Sequence, residues 1–278
     1  MTDPFPDVVR IEPVGMCNFR CVHCPTGVIG NGRKVMGFDR FCQIFNSLPA
    51  VPRVLVLYHG GEPLLNKDLE KMVKFASASV KKIVLNTNAS LLTLERGLAL
   101  DKAGLSELRI SFDGDTPEDN NRIRRGSNFE RDSRVVQKLA MASRRMKIVI
   151  YNVRVTGGDK PEPAGYLLSA FGDLVEYRTD AARLWGGLYD YRDEYIESPT
   201  QPTYCPNLWE TFTILSTGEV VSCCEDLLGE KVYGNTAHQP PAEIWEKMQS
   251  VRDAFKAKEY PSLCRKCYRV TGAYLVGG

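Results

Sequence analysis

The sequence has no run of apolar residues approaching the ~20 that a membrane-spanning helix needs. Its first residues, Met1-Thr2-Asp3-Pro4, lack the charged and apolar regions of a signal peptide. It has neither a basic block nor an acidic tail: 36 Lys and Arg mix with 34 Asp and Glu for a formal net charge of +2. No internal repeat or low-complexity segment is present. These absences speak against a membrane anchor, a nucleic-acid-binding arm and an export route, so a cytoplasmic protein with no membrane or nucleic-acid partner is expected. At 278 residues the chain can form one large domain or one domain with a small appendage.

What the sequence does have is nine cysteines. Without an export signal they read as metal ligands rather than disulfides. Three stand at Cys17, Cys21 and Cys24, five lie between Cys205 and Cys267, and Cys42 stands alone, read as a packed core residue. The first group forms C-x3-C-x2-C within Met16-Cys17-Asn18-Phe19-Arg20-Cys21-Val22-His23-Cys24-Pro25, directly after the apolar run Val8 to Val14. Thiolates are soft ligands for iron–sulfur clusters and zinc. A 4Fe–4S cluster normally takes four Cys. Three in eight residues hold three corners and leave one iron open to something that is not protein. The competing reading is part of a zinc site.

From residue 8 to 178 strand-like and helix-like segments alternate. The strands are Val8–Val14, Arg53–Tyr58, Lys82–Asn86, Glu107–Phe112, Met146–Val155 and Asp173–Arg178. The amphipathic helices are Asp39–Leu48, Lys67–Ser79, Thr93–Ala103, Phe129–Ser143 and Glu162–Phe171. Such alternation predicts a parallel sheet of βα units. The expected fold is α/β, a partial (βα)6 TIM-like barrel, since a full eightfold barrel takes about 250 residues by itself. Barrel chemistry sits at the C-terminal strand ends. The first strand delivers the cysteine loop there. The second delivers Gly60, Gly61 and Glu62, two residues without Cβ that let backbone approach a ligand, then a carboxylate acceptor. The third ends in Asn86-Thr87-Asn88. The fourth ends in Ser111-Phe112-Asp113-Gly114, followed by Asn121 to Gly126 with three arginines. On the fifth, Asn152 and Arg154 share a face. They reach substrate if that face is the barrel interior, and a helix layer or water if it is not.

From Cys205 the pattern changes. Phe212–Leu215 and Glu219–Ser222 flank Ser216-Thr217-Gly218 as a β-hairpin, and a helix over Pro241–Ala257 follows. Cys205, Cys223, Cys264 and Cys267 are four thiolates, enough for a 4Fe–4S cluster or a structural zinc. Cys224 could replace Cys223 as the ligand. The expected domains are 1–180 for the barrel, 181–204 for a linker and pocket wall, and 205–278 for a small C-terminal α+β metal domain.

The cysteine block, with Gly60-Gly61-Glu62-Pro63 after the second strand, resembles the radical S-adenosylmethionine (SAM) superfamily. The resemblance implies SAM chelated on the open iron of a Cys17/Cys21/Cys24 cluster and cleaved to a 5′-deoxyadenosyl radical. It implies that Gly60, Gly61 and Glu62 meet the SAM amino group, and that Ser111 with Arg124 or Arg122 holds its carboxylate and ribose. His23 and Asn88 are placed in the same cofactor set. The C-terminal cysteines resemble the SPASM/twitch domain. A full SPASM domain holds two auxiliary clusters, and the cysteines here suffice for one, as in the twitch-type dehydrogenase that oxidises an aminocyclitol (deoxy-scyllo-inosamine). The cofactors implied are SAM and two 4Fe–4S clusters.

The expected substrate is a small polar metabolite: a sugar, an aminocyclitol or a nucleotide-sugar-like compound. An external donor such as flavodoxin or ferredoxin supplies electrons. The expected reaction oxidises an alcohol with the auxiliary cluster as electron acceptor. Alternatives are an epimerase with Cys224 as hydrogen donor, a peptide (RiPP) maturase, and a non-catalytic iron–sulfur or zinc protein. Sixteen residues before Cys17 are too few for a folded leader-binding domain, which argues against the peptide reading. Tyr58, Asn152, Arg154, Arg178 and Trp185 are candidate pocket residues.

Overall fold

The structure is a computed structural model and describes residues 3–26, 34–154, 162–181, 195–196, 200–271 and 274–275. Six parallel strands come first: β1 (Val8–Ile11), β2 (Val54–Val56), β3 (Lys82–Thr87), β4 (Glu107–Ser111), β5 (Lys147–Arg154) and β6 (Glu176–Ala181). Helices return the chain between them: α1 (Phe38–Asn46), α2 (Leu69–Ala76), α3 (Leu94–Ala103), α4 (Pro117–Ile123), α5 (Phe129–Ala142) and α6 (Gly165–Phe171). The short helix α4 was not expected from the sequence. The short strand β7 (Tyr195–Ile196) follows, then α7 (Pro206–Trp209), β8 (Thr211–Ile214), β9 (Glu219–Val221) and β10 (Val232–Asn235). The chain ends in α8 (Pro241–Lys247), α9 (Gln249–Lys256), α10 (Ser262–Arg265), α11 (Tyr268–Thr271) and β11 (Tyr274–Leu275), which pairs with β7. Among the described residues no helix is long and apolar enough to cross a membrane.

The nine-stranded sheet runs β10-β9-β8-β1-β2-β3-β4-β5-β6 and does not close. This is the expected incomplete barrel, with one difference. The C-terminal hairpin does not stand apart from it. Strand β8 pairs parallel with β1, from Val8 opposite Thr211 to Ile11 opposite Ile214. The sheet therefore continues across the boundary drawn at residue 204. A second difference lies in the C-terminal helix, which is two helices meeting at Met248; there the Trp245 carbonyl accepts the Arg252 guanidinium at 3.0 Å.

Strand alternation puts Val9 and Ile11, Leu55, Ile83 and Leu85, Leu108 and Ile110, and Ile148 and Ile150 into one apolar core under the helices. Helix α1 meets this layer with Phe41, Ile44 and Phe45, spaced for one helical face. Phe41 and Phe45 also pack against Phe75 of α2. Each such ring removed from water contributes roughly 2–3 kcal/mol. Parallel strands covered on both sides usually read as continuous apolar runs. These do not: their other face carries Arg10, Asn86, Arg109, Ser111 and Tyr151, which line a cavity.

The N-terminal segment straps the barrel to the C-terminal region. Fully buried Arg252 donates to Asp3 at 2.8 Å and lies 4.0 Å over the Trp245 ring, while Trp245 Nε1 donates to the Asp3 and Pro4 carbonyls at 3.0 Å.

Candidate active site

At the C-terminal ends of the strands lies a cavity of about 380 Å3. Cys17, Cys21 and Cys24, all free thiols, form part of its wall. The Phe19 N–H and Asn88 Nδ2 donate to Cys17 Sγ at 3.4 and 3.8 Å. Burial pushes the Cys21 thiol up to about 12, with the nearby Arg124 opposing it, and raises Cys17 as well. A buried thiol with no metal prefers its proton; binding a cluster there means releasing it.

The Gly60–Glu62 turn also lines this cavity, but Gly61 is a glycine for a different reason than ligand approach. A Cβ on Gly61 would lie 2.1 Å from the Val14 carbonyl oxygen and 2.6 Å from that of Met16. The close approach is to the chain's own cysteine loop, which the Glu62 N–H also joins through Met16 O at 2.9 Å. Gly60 N–H donates to Glu12 Oε1 at 3.0 Å. Glu62 itself ties two strand ends together. Its Oε1 accepts from Leu64 N at 2.9 Å and Thr87 Oγ1 at 2.6 Å, and its Oε2 accepts from Asn88 N at 2.8 Å. Desolvation nevertheless leaves its pKa raised. One lone pair on Oε2 remains for a ligand. Asn88 also donates to Asn18 Oδ1 at 3.0 Å. Asn86 Nδ2 donates to Ser111 Oγ at 3.0 Å, and both residues line the cavity.

The arginines after β4 separate cleanly. Arg124 is buried, donates to Asp113 at 2.6 Å and lines the cavity. Burial pulls its pKa down, but the Asp113 carboxylate outweighs that and the net shift is up. Its buried Nε has no hydrogen-bond partner among the described residues. That is a donor for a bound anion to take. Arg122 does not reach the cavity: its side chain is 71% exposed and pairs with Asp119 one turn back on α4. His23 is buried beside the same Asp113 carboxylate, at 3.5 Å, and burial lowers its pKa.

The C-terminal thiols divide between two spaces. Cys205, Cys223, Cys264 and Cys267 surround a second, small cavity. Burial pushes Cys264 and Cys267 up to about 12 and raises Cys205 and Cys223. Cys224 lines the large cavity instead. The alternative that Cys224 replaces Cys223 in the four-thiol set is not what the side chains favour. Asn207 and Arg269 line both cavities and so form the wall between them. Among the described residues no three His, Cys, Asp or Glu side chains converge on a single ion position. A cubane spreads its thiolates over separate irons, so both groupings fit a cluster by their donor set.

Of the other expected pocket residues, Tyr58 lines the cavity. Asn152 does not: it lies on the helix side of β5, and its Nδ2 donates to Phe112 O at 2.9 Å. Tyr151 and Val153, in the opposite phase, face the cavity. Arg178 pairs with Glu107 at 3.3 Å and is not part of the lining. The Arg154 side chain and Trp185 lie outside the described residues. Cys42 packs against the core, away from the site. Arg10, His59, Arg109, Asp180, Asn207 and Arg269 line the cavity without having been anticipated. Strand alternation, once its phase is known, points to Arg10, Arg109 and Asp180. Nothing local marks Asn207 or Arg269.

An open parallel barrel with three thiols at its strand ends and a four-thiol site beside them has the layout of an iron–sulfur enzyme. The radical SAM superfamily model matches residues 11–160, more than half of the chain, and an iron-sulfur cluster-binding domain (SPASM) matches residues 205–268. The chain belongs to the radical SAM superfamily. That membership brings SAM and a 4Fe–4S cluster as cofactors, and the SPASM domain brings auxiliary iron–sulfur binding. Among its relatives is the GTP 3′,8-cyclase of Hydrogenovibrio crunogenus (strain DSM 25203 / XCL-2), 33% identical over 140 residues. That match covers 47% of this chain and 42% of the cyclase, so the chain spans less than half the length of that relative. Among solved structures, BtrN in complex with AdoMet and 2-DOIA is similar over 96% of this chain and 94% of BtrN, with TM-score 0.67 and 19% identity. Streptococcus suis SuiB bound to precursor peptide SuiA is similar over 87% of this chain and 65% of SuiB, with TM-score 0.65 and 15% identity. At these identities the likeness to both structures is one of fold.

Proposed function

We propose that this radical SAM enzyme abstracts hydrogen from a small polar metabolite in the large cavity and oxidises an alcohol carbon, with an auxiliary cluster alongside. The observation that carries the reading is the shared wall. Asn207 and Arg269 border both the large cavity and the four-thiol cavity, so a substrate bound in the first would lie next to an electron acceptor bound in the second. Two of the similar proteins support a small substrate, the cyclase by its name for GTP and BtrN by its structure with 2-DOIA, whereas SuiB was solved with a precursor peptide.

In this reading Cys17, Cys21 and Cys24 hold the SAM-binding cluster, and Cys205, Cys223, Cys264 and Cys267 hold the auxiliary one. Bound, these groups would supply hydrogen-abstracting radical chemistry at the first site and a one-electron acceptor at the second. The rest is the work of side chains. Arg124, kept charged by Asp113, receives the SAM carboxylate through its open Nε. Gly60, Glu62 and Asn88 hold the amino end, and Ser111 and His23 complete the cofactor wall. Asp180, which accepts from Tyr151 Oη at 2.9 Å, is the cavity carboxylate away from the cofactor wall and takes the hydroxyl proton of the substrate. Flavodoxin or ferredoxin is the proposed electron source.

One observation favours a second reading. The Cys224 thiol opens onto the large cavity, where it could return a hydrogen atom to the opposite face of the substrate, making the enzyme an epimerase.

The deciding experiment has two stages. Iron and sulfide are measured in anaerobically reconstituted wild type and in the Cys17/Cys21/Cys24→Ala triple variant. About eight irons against about four supports two four-iron clusters; about four against none removes the electron acceptor and with it the dehydrogenase. Reaction in D2O then separates the two readings. An epimerised product carries one solvent deuteron at the inverted carbon, lost in Cys224→Ala, whereas a ketone product is unaffected by that substitution.

A further inference from the structure

The cavity floor carries positive charge that the cofactor wall does not use. Arg10 of β1 and Arg109 of β4 both reach Tyr58. Arg10 Nη1 donates to the Tyr58 carbonyl at 3.2 Å, with its guanidinium 5.0 Å over the ring. Arg109 Nη1 donates to the Tyr58 hydroxyl at 3.0 Å. All three residues line the cavity. Arg109 has a carboxylate partner, Glu107 at 2.6 Å, but Glu107 also neutralises Lys82 at 2.8 Å and Arg178 at 3.3 Å. One negative charge thus serves three cations. Arg10 makes no ion pair among the described residues, and its buried Nε has no hydrogen-bond partner there. Glu12, just past the end of β1, turns its two oxygens to Gly60 N and Ser216 N, each at 3.0 Å.

We infer that Arg10 and Arg109 form an oxyanion-binding subsite on the cavity floor, and that the substrate carries a phosphate or carboxylate that sits there. The inference rests on the proposed function only in placing the substrate in this cavity. Like charges on a poorly solvated wall repel each other, and a bound oxyanion turns that repulsion into attraction. A guanidinium fork also matches the paired oxygens of phosphate or carboxylate. The subsite selects within the expected substrate class. It disfavours an aminocyclitol, whose ammonium group would meet two guanidinium groups, and favours a phosphorylated or acidic sugar or a nucleotide-sugar-like compound.

The test is calorimetry on the anaerobically reconstituted protein saturated with SAM, so that the SAM carboxylate occupies its own place. The probes are inorganic phosphate, pyrophosphate and acetate, then glucose 1-phosphate, glucuronate, glucose and glucosamine. We expect phosphate or carboxylate probes to bind about 10- to 100-fold more tightly than the neutral and cationic sugars. The phosphate and carboxylate arms identify which oxyanion the site takes. Arg10→Gln and Arg109→Gln each abolish the preference, and SAM affinity is unchanged. Phosphate also protects Arg10 and Arg109 of the wild type from phenylglyoxal, read by mass spectrometry, which locates the site even if a variant does not fold. No oxyanion binding, an equal affinity for glucosamine, or oxyanion binding without protection of these two arginines overturns the inference. Iron content and 5′-deoxyadenosine formation are read on the same samples, so a failure of the radical SAM assignment is seen separately.

Discussion

Replacing Gly61 with alanine tests the claim that this glycine serves the chain rather than the ligand. The new Cβ would sit 2.1 Å from Val14 O, 2.6 Å from Met16 O and 2.8 Å from the Val14 carbonyl carbon. All three are backbone atoms, so no side chain can rotate away. Restoring ordinary contact requires the turn and the cysteine loop to separate by about 1.4 Å, from 2.1 Å to the roughly 3.5 Å that carbon–oxygen contacts prefer. That separation loses the Glu62 N–H to Met16 O bond of 2.9 Å, which contributes about 1 kcal/mol. Forced overpacking adds about 1–3 kcal/mol. The expected destabilisation of the cofactor-free protein is therefore about 2–4 kcal/mol. With an m-value near 3 kcal/mol/M, the urea midpoint should fall by about 1 M. Gly37→Ala is the control, because nothing lies within 4 Å of a Cβ there; as the N-cap of α1 it should cost no more than about 1 kcal/mol. Because the displaced loop carries Cys17, iron uptake at the first site should fall as well. A Gly61→Ala protein with an unchanged midpoint and full iron would refute the reasoning and return this glycine to the role of making room for SAM.

Glu107→Gln should lower stability at neutral pH. Desolvation would raise the Glu107 pKa, but Lys82 and Arg109 outweigh it and hold it below its ordinary 4.5. The stability it contributes is therefore present above pH 4.5 and lost as pH falls through the lowered pKa. Urea midpoints of wild type and variant should converge in acid; a constant gap would contradict the charge argument. Asp113→Asn leaves Arg124 buried without its counter-charge, and should cost about 3–5 kcal/mol by urea unfolding. Its conservative counterpart Arg124→Lys should keep the fold but weaken SAM binding, measured by equilibrium dialysis. Arg252→Ala releases Asp3 and uncovers the Trp245 ring, and loss of a buried charged hydrogen bond with that packing should cost about 2–4 kcal/mol. Limited proteolysis should then cut first near the N-terminus. Cys224→Ser should retain the full iron content, whereas Cys223→Ser should lose the auxiliary share, both read by iron and sulfide analysis.

How much of this was legible beforehand differs from element to element. The C-x3-C-x2-C block, the Gly-Gly-Glu turn and the six strand–helix alternations are local patterns, and each element appeared within a few residues of its expected place. The α4 helix was missed because its seven residues are polar on most sides and are fixed by the Thr116 cap, whose Oγ1 accepts from Asp119 N at 3.1 Å. The third strand of the C-terminal module, β10, was missed because Val232–Asn235 has no alternating apolar face and is shifted by an irregularity against β9.

By itself the sequence determined the ligand chemistry and the order of the elements, because thiol spacing and hydrophobic period are properties of a few neighbouring residues. The tertiary structure alone decided which face of each strand became the cavity. Alternation makes two faces on β5, and only packing of Phe112 and the helices against one of them put Tyr151 inside and Asn152 outside. Likewise Arg122 and Arg124 are equivalent in a list of residues, yet the two-residue step off the end of α4 separates water from a buried carboxylate. Cys223 and Cys224 are adjacent in the chain but border different cavities, because the chain turns just after β9, with Asp226 N–H donating to Cys223 O at 3.2 Å, and the turn sends neighbouring side chains apart. The wall between those cavities, Asn207 and Arg269, joins segments about sixty residues apart, and no local rule acts over that separation.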